Sequence, residues 1–269
     1  MNKRFSIGLT LAAFVLALIP HTLDAAAQKD GRWSDDFPEK DEIHQTYQLT
    51  GGARVEVKGI NGTVAIETAS GNTAEVHIVR SARTKDDLNY GKVIIEHTGN
   101  SLVVRGENKK ERGEWREGKD VRQRVMLKLP RQIDLAVNGI NGRVGVGEIE
   151  GTINLSGING GVDVAQAAST SDISGINGKV TINLMRMSDR GLNISGINGG
   201  VELRFNEEIN ADLDVSGVNG NVDSTDFPMT IQGKIERHSF KAKIGNGGAP
   251  INVSGVNGRV RLVRAGRAG

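Results

Sequence analysis

Three carboxylates occupy positions from which a polysaccharide-cleaving site could be built: Asp163, Glu202 and Asp223. Each directly follows the first Val after a Gly-Ile/Val-Asn-Gly segment. Inverting glycosidases hold their two carboxyls roughly 6.5–9.5 Å apart, one to protonate the leaving oxygen and one to activate water. If the segments stack as strands, Asp163 and Glu202 lie two layers apart, about 10 Å at the usual strand spacing. Thr181 falls between them. The equivalent positions of the other segments hold Ala65, Gly145 and Arg261. That mixture reads as a solvated face with assorted polar groups.

Other chemistry finds less support. Beyond residue 27 the histidines are His44, His77, His97 and His238, with no metal-ligand spacing. The chain has no Cys, so thiolate metal sites and disulfides are excluded. There is no Gly-x-Ser-x-Gly elbow and no phosphate loop. The Gly-x-x-Gly pattern follows strands but opens no helix, unlike a dinucleotide fingerprint. Gly160-Gly161-Val162-Asp163 is a partial echo of the calcium-binding nonapeptide repeat. No catalytic, cofactor or metal residue is assigned, and no enzymatic activity is expected.

The elements that carry these residues are repeats. Gly-Ile-Asn-Gly begins at Gly59, Gly139, Gly157, Gly175 and Gly196, and Gly-Val-Asn-Gly at Gly217 and Gly255. From Gly139 onward the starts step by 18, 18, 21, 21 and 38 residues. The last step reads as two coils, the first without a clear motif; Gly245-Asn246-Gly247 is a degenerate copy. On both sides of each motif apolar residues alternate, as in Ile153 and Leu155, then Val162 and Val164. Alternation with β-branched residues marks strands. The inward parity shifts by one across the motif, which requires a bend or bulge. The Ser-Gly pair, for example Ser156-Gly157, is the place for it.

A unit of two short strands cannot bury its apolar face alone, but stacked copies bury a continuous core. The expected fold is all-β: a single-stranded, right-handed β-solenoid-like stack of 18–21-residue repeats. A meander of β-hairpins in a sandwich is the alternative, since Asn-Gly also closes hairpins. In a stack, Asn61, Asn141, Asn159, Asn177, Asn198, Asn219 and Asn257 line up as a column able to hydrogen-bond along the axis. The flanking turn glycines are Gly157, Gly160, Gly175, Gly178, Gly196, Gly199, Gly217, Gly220, Gly255 and Gly258. These are structural roles; a ligand-binding Asn row is the sharper alternative.

Met1–Arg4 is positively charged, Phe5–Ile19 is apolar, and Ala25–Ala27 supplies small residues. That is the layout of a secretory signal peptide cleaved near Ala27. Export to the periplasm, the cell surface or the medium is expected, with no later membrane span. Residues 28–50 read as a flexible lead-in and 51–264 as the repeat domain. Within the latter, 51–138 is an irregular part with a charged loop at 107–120, and 139–264 is the tandem array. Residues 265–269 form a tail. Ser81–Tyr90 reads as a short helix. The net charge is +2, and the signal carries Lys3, Arg4 and Asp24, leaving +1. Nucleic acid is therefore not an expected partner. Lys109, Lys110, Arg112, Arg116, Lys119, Arg122 and Arg124 interleave with acids, which suits a solvated loop or weak contact with anionic envelope polymers.

The segment Val55–Ile66, the strand Val125–Pro130 and the tandem Gly-x-Asn-Gly-x-Val units resemble the DUF4097 and head-GIN adhesin-like proteins, a bacterial family of exported β-strand repeats. The resemblance runs from about Gly51 to Leu262. It implies a β-solenoid-like fold and an adhesin-like role in the bacterial envelope. The function expected is thus a non-enzymatic exported envelope or surface protein, an interaction module for an envelope glycan or protein. Alternatives are a carbohydrate-active β-helix enzyme using Asp163, Glu202 or Asp223, and a structural protein that self-associates through the ends of its stack.

Overall fold

The computed structural model describes residues 37–108, 121–167, 171–184, 189–205, 209–224, 227, 229–236 and 239–264. The expected signal peptide, the charged segment from 109 to 120 and the tail lie outside them. The described chain is all-β except for one short helix.

In chain order the first strands are β1 (Glu39–Gln48), β2 (Ala53–Lys58), β3 (Gly62–Ala69) and β4 (Thr73–Ala82). Helix α1 (Lys85–Leu88) follows, then β5 (Gly91–Thr98), β6 (Ser101–Asn108) and β7 (Arg122–Pro130). The repeats supply β8 (Ile133–Ile140), β9 (Val144–Ile149), β10 (Ile153–Ile158), β11 (Val162–Ala167), β12 (Ser171–Ile176) and β13 (Val180–Leu184). They continue with β14 (Leu192–Ile197), β15 (Val201–Phe205), β16 (Ala211–Ser216) and β17 (Val222–Asp223). The last four are β18 (Met229–Glu236), β19 (Ser239–Ile244), β20 (Ala249–Val256) and β21 (Val260–Arg264).

The two strands flanking each motif go to different sheets. One sheet runs β1-β4-β7-β3-β9-β11-β13-β15-β21-β17, the other β18-β19-β16-β20-β14-β12-β10-β8-β2-β6-β5. This overturns the hairpin alternative, in which those strands would pair with each other. Instead, equivalent strands of neighbouring repeats pair in parallel with like residues side by side: Leu155 beside Ile173, Val162 beside Val180. The inward residues of both sheets form one apolar core, including Val55, Leu135, Leu155, Val162, Ile182, Leu203 and Val260. Ile, Leu and Val repeated at fixed positions bring similar shapes into contact layer after layer, so a narrow core packs closely with few aromatics, of which Phe205 and Phe227 meet edge to face.

The spatial order of units departs from chain order at both ends. The β2–β3 unit lies between the β6–β7 unit and the β8–β9 unit. The β20–β21 unit, last in the chain, is inserted between the β14–β15 and β16–β17 units. The 38-residue step therefore does not hold two stacked coils. It holds an antiparallel hairpin, β18–β19, on the outer edge of β16, followed by the inserted unit. Gly245–Gly247 lies in the link from β19 to β20 and makes no corner. Antiparallel strands cover the opposite end too: β4 and β1 beyond β7, and β5 beyond β6. Such cover protects three of the four parallel edges from pairing with other chains, while the first sheet ends on the two-residue β17.

Two local expectations change. Glu39–Gln48 falls in the segment read as a flexible lead-in, yet it forms β1, with Ile43 and Tyr47 packed on the core. Helix α1 is shorter than the ten-residue reading, because β4 runs on to Ala82 and Thr84 caps the first turn through the Asp87 N–H.

Candidate binding face along the repeat corner

Each corner is built on two glycines that are required for different reasons. The first glycine of the motif adopts φ between 59° and 67° in all seven copies, among them Gly157 and Gly175 at 61°. L-residues with a side chain pay about 1–2 kcal/mol for that conformation. This glycine is skipped in the pairing register, which passes from Ser156 beside Ser174 to Ile158 beside Ile176. The offset between the two strands is the same before and after it, so the extra residue is a bend that both strands share, and the bend shifts the inward parity. The second glycine has the opposite constraint. A Cβ at Gly178 would lie 2.3 Å from the Gly160 carbonyl oxygen, and across the seven copies the distance to the neighbouring carbonyl is 1.8–2.3 Å.

Between the two glycines the Asn side chains join into a ladder. Asn219 donates to Asn257, Asn257 to Asn198, Asn198 to Asn177, Asn177 to Asn159, Asn159 to Asn141 and Asn141 to Asn61. The Nδ2–Oδ1 distances are 2.9–3.3 Å. At its end the Asn61 amide donates to the Val121 carbonyl at 3.1 Å. The backbone follows the same course: the Asn177 N–H donates to the Ile158 carbonyl at 2.8 Å. Each ladder bond uses one of the two N–H groups of an amide.

A second column runs three residues before each Asn, on the outer face of the second sheet. Ser156, Ser174, Ser195, Ser254 and Ser216 sit side by side in that order. Next to it stand Asn154, Asp172, Asn193, Asn252 and Asp214. Asn252 donates to Asn193, and Asn193 to Asp172, at 2.8 Å each. On β8, Asp134 accepts the Thr152 hydroxyl and N–H, at 2.7 and 2.8 Å. These bonds, with the charge of Arg54, outweigh burial and hold its carboxyl below its ordinary value. Neither the serine row nor the Asn/Asp row was assigned from sequence. The signal was present as a polar residue at a fixed offset of three before each Ser-Gly glycine, from Asn154 to Asn252.

The carboxylate candidates lie on the outer face of the first sheet. Asp163, Thr181, Glu202, Arg261 and Asp223 form one row in that spatial order. Thr181 does separate Asp163 from Glu202. Arg261 of the inserted unit comes between Glu202 and Asp223, a neighbour that chain order does not suggest. Glu202 accepts from Lys179 at 2.9 Å and Arg204 at 2.6 Å, with Arg261 at 3.9 Å. Burial pushes its carboxyl up, but the Lys179 and Arg204 hydrogen bonds and charges prevail and hold it below its ordinary value. A carboxylate kept ionised in this way is in the wrong state to donate a proton to a leaving group. Among the described residues, no three His, Cys, Asp or Glu side chains converge as a metal site.

No protein-family model matches this sequence, and no curated protein matches it. Solved structures to which this chain is similar include a candidate cell adhesion protein from Clostridium sporogenes, 10% identical, with a TM-score of 0.39 over 84% of this chain and 100% of that one. A candidate adhesin from Bacteroides fragilis is 9% identical, with a TM-score of 0.32 over 84% of this chain and 98% of its own. Another from Parabacteroides merdae is 10% identical, with a TM-score of 0.32 over 81% and 95%. Likeness at this level assigns neither family nor function.

Proposed function

We propose that this protein is an exported, non-enzymatic envelope or surface protein: an adhesin-like interaction module on a right-handed, single-stranded β-solenoid. The observation that carries the reading is the pair of columns along one corner. The serine row and the Asn ladder run beside each other through successive layers, with donors and acceptors repeating at about 4.8 Å. Most of their members are exposed or half-exposed. A rigid lattice of this kind loses little entropy on binding, because its side chains are already held by their neighbours. It suits an extended partner that repeats along its own length, such as an envelope glycan or a strand of protein.

The apolar run before Pro20 and the small residues at Ala25–Ala27 support export. Among the described residues no helix is long and apolar enough to cross a membrane. The test is a pull-down by the chain from Gln28 against peptidoglycan, outer-membrane material and soluble envelope proteins. Saturable binding to one fraction, weakened when the serine row is replaced by Asp, is the expected result. A folded chain that captures nothing from any fraction would sink the reading.

A further inference from the structure

A third column borders the same corner, two residues after each Asn. Its order follows from backbone hydrogen bonds: Val64 N–H to Arg143 O, Val144 to Gly161, Val162 to Lys179, Val180 to Gly200, Val201 to Arg259 and Val260 to Asn221. On the other side Thr63 pairs with Arg124. The column therefore reads Arg124, Thr63, Arg143, Gly161, Lys179, Gly200, Arg259, Asn221. A cation stands at every second layer, four in all, about 9.6 Å apart and spanning about 29 Å. All four are exposed.

The residues between them are small, and at Gly161 the fold does not demand it. Its φ is not positive. A Cβ there would meet only the Lys179 carbonyl at 3.6 Å and Arg143 Nε at 3.9 Å, which is ordinary contact. At Gly200 the nearest atom is the Arg259 carbonyl at 3.3 Å, a tighter fit. Three acids, Asp163, Glu202 and Asp223, stand two residues beyond Gly161, Gly200 and Asn221 along the same strands; Glu202 engages Lys179 but is itself shared with Arg204 and Arg261, and Asp223 lies 3.9 Å from Arg261. Lys179 remains 59% exposed while it makes that bond.

We infer that the corner binds a linear anionic glycan lying along the stack, with its charged groups on Arg124, Arg143, Lys179 and Arg259 and its hydroxyls on the Asn and Ser columns. This rests on the reading of the corner as a binding face and names the chemistry of its partner. An extended pyranose chain advances by about one strand spacing per sugar. Cations at every second layer thus face every second sugar, and the layer of Gly161, which adds no side chain beside Arg143, faces the uncharged ring between them. Exposed charge pairs are screened over about 8–10 Å at physiological ionic strength. Binding should therefore fall as salt rises.

The probe is hyaluronan, which carries one carboxylate per disaccharide, immobilised beside neutral dextran and linear polyphosphate. The full chain should bind hyaluronan, bind dextran negligibly, and prefer hyaluronan to polyphosphate. Replacing Arg143, Lys179 and Arg259 by Gln should weaken hyaluronan binding about tenfold. The same charge removed elsewhere, as Arg54→Gln, Lys92→Gln and Lys243→Gln, should change it little. Gly161→Asp, which fits the backbone, places a carboxylate between two cations and should weaken binding even if the triple variant misfolds. Equal loss in both triple variants, equal binding to polyphosphate, or no effect of Gly161→Asp would overturn the inference. If envelope binding persists while hyaluronan is ignored, the partner class is wrong and the binding face stands. If neither is bound, both readings fall.

Discussion

Three glycines in two adjacent corners should answer the same substitution in three ways. Gly175→Ala puts a Cβ on a residue at φ 61°, which costs about 1–2 kcal/mol. Gly178→Ala keeps an acceptable φ but sets the Cβ 2.3 Å from the Gly160 carbonyl oxygen. Cβ contacts under 3.0 Å essentially never occur, so that layer must open by at least 0.7 Å, the difference between 3.0 and 2.3 Å. The opening would fall on the Asn177–Asn159 rung and the strand pairing on both sides. Overpacking of this kind costs about 1–3 kcal/mol, and the upper end applies because backbone rather than a side chain must yield. Gly161→Ala meets nothing closer than 3.6 Å. It should stabilise by about 0.4–1 kcal/mol, through fewer accessible states in the unfolded chain. Urea unfolding followed by far-ultraviolet circular dichroism reads all three, provided the slopes match and the transition stays cooperative. The reasoning fails if Gly178→Ala is no worse than Gly161→Ala, or if Gly161→Ala is the most damaging.

The Asn ladder should show position dependence. Asn177→Ala removes two ladder bonds and Asn219→Ala one. At about 0.5–1.5 kcal/mol per hydrogen bond, and toward the low end for exposed amides, the interior variant should lose about twice as much in urea titration; equal losses would argue against a continuous ladder. Asp134 has a folded value below its unfolded one, so its contribution is present above the unfolded value and is lost as pH falls through the folded value. Thr152→Val should therefore destabilise at neutral pH, with the gap to the unaltered protein closing in strong acid. A gap that stays constant across that range would contradict the assignment.

The repeat unit was legible in the residues themselves. Alternating Ile, Leu and Val set the strands, and the parity change placed the bend at Ser156-Gly157 and its equivalents. The order of the outer units was not legible, for a physical reason. Every copy from Gly157 onward presents the same Ser-Gly-x-Asn-Gly edge, so the Gly255 unit fits against the Gly196 unit or the Gly217 unit by local pairing alone. The capping hairpin β18–β19 on the far edge of β16 leaves the inserted position to the final unit, and that depends on contacts outside any one repeat. Strand β1 was obscured by its charges, since in Glu39–Gln48 only Ile43 and Tyr47 reach the core. The Ser and Asn/Asp rows repeat at a fixed offset that was visible, but small polar residues before a glycine resemble turn chemistry until a neighbour is known. The cation column escaped notice because two of its eight positions are filled by units that lie far away in the chain.

The displaced units also bear on how such a protein can change length over evolution. From the Gly139 unit to the Gly196 unit, neighbours along the chain are neighbours in both sheets. Duplicating or deleting a whole unit in that stretch would leave each remaining strand with a partner of the same kind. The same event between β16 and β21 would place the new copy beside a hairpin or force apart a pair that closes the end. Variation in size should therefore accumulate in the middle of the molecule, while both ends stay constant in length. Because the cations recur every second layer, units gained or lost in pairs would also preserve their alternation, and a single unit would put it out of phase.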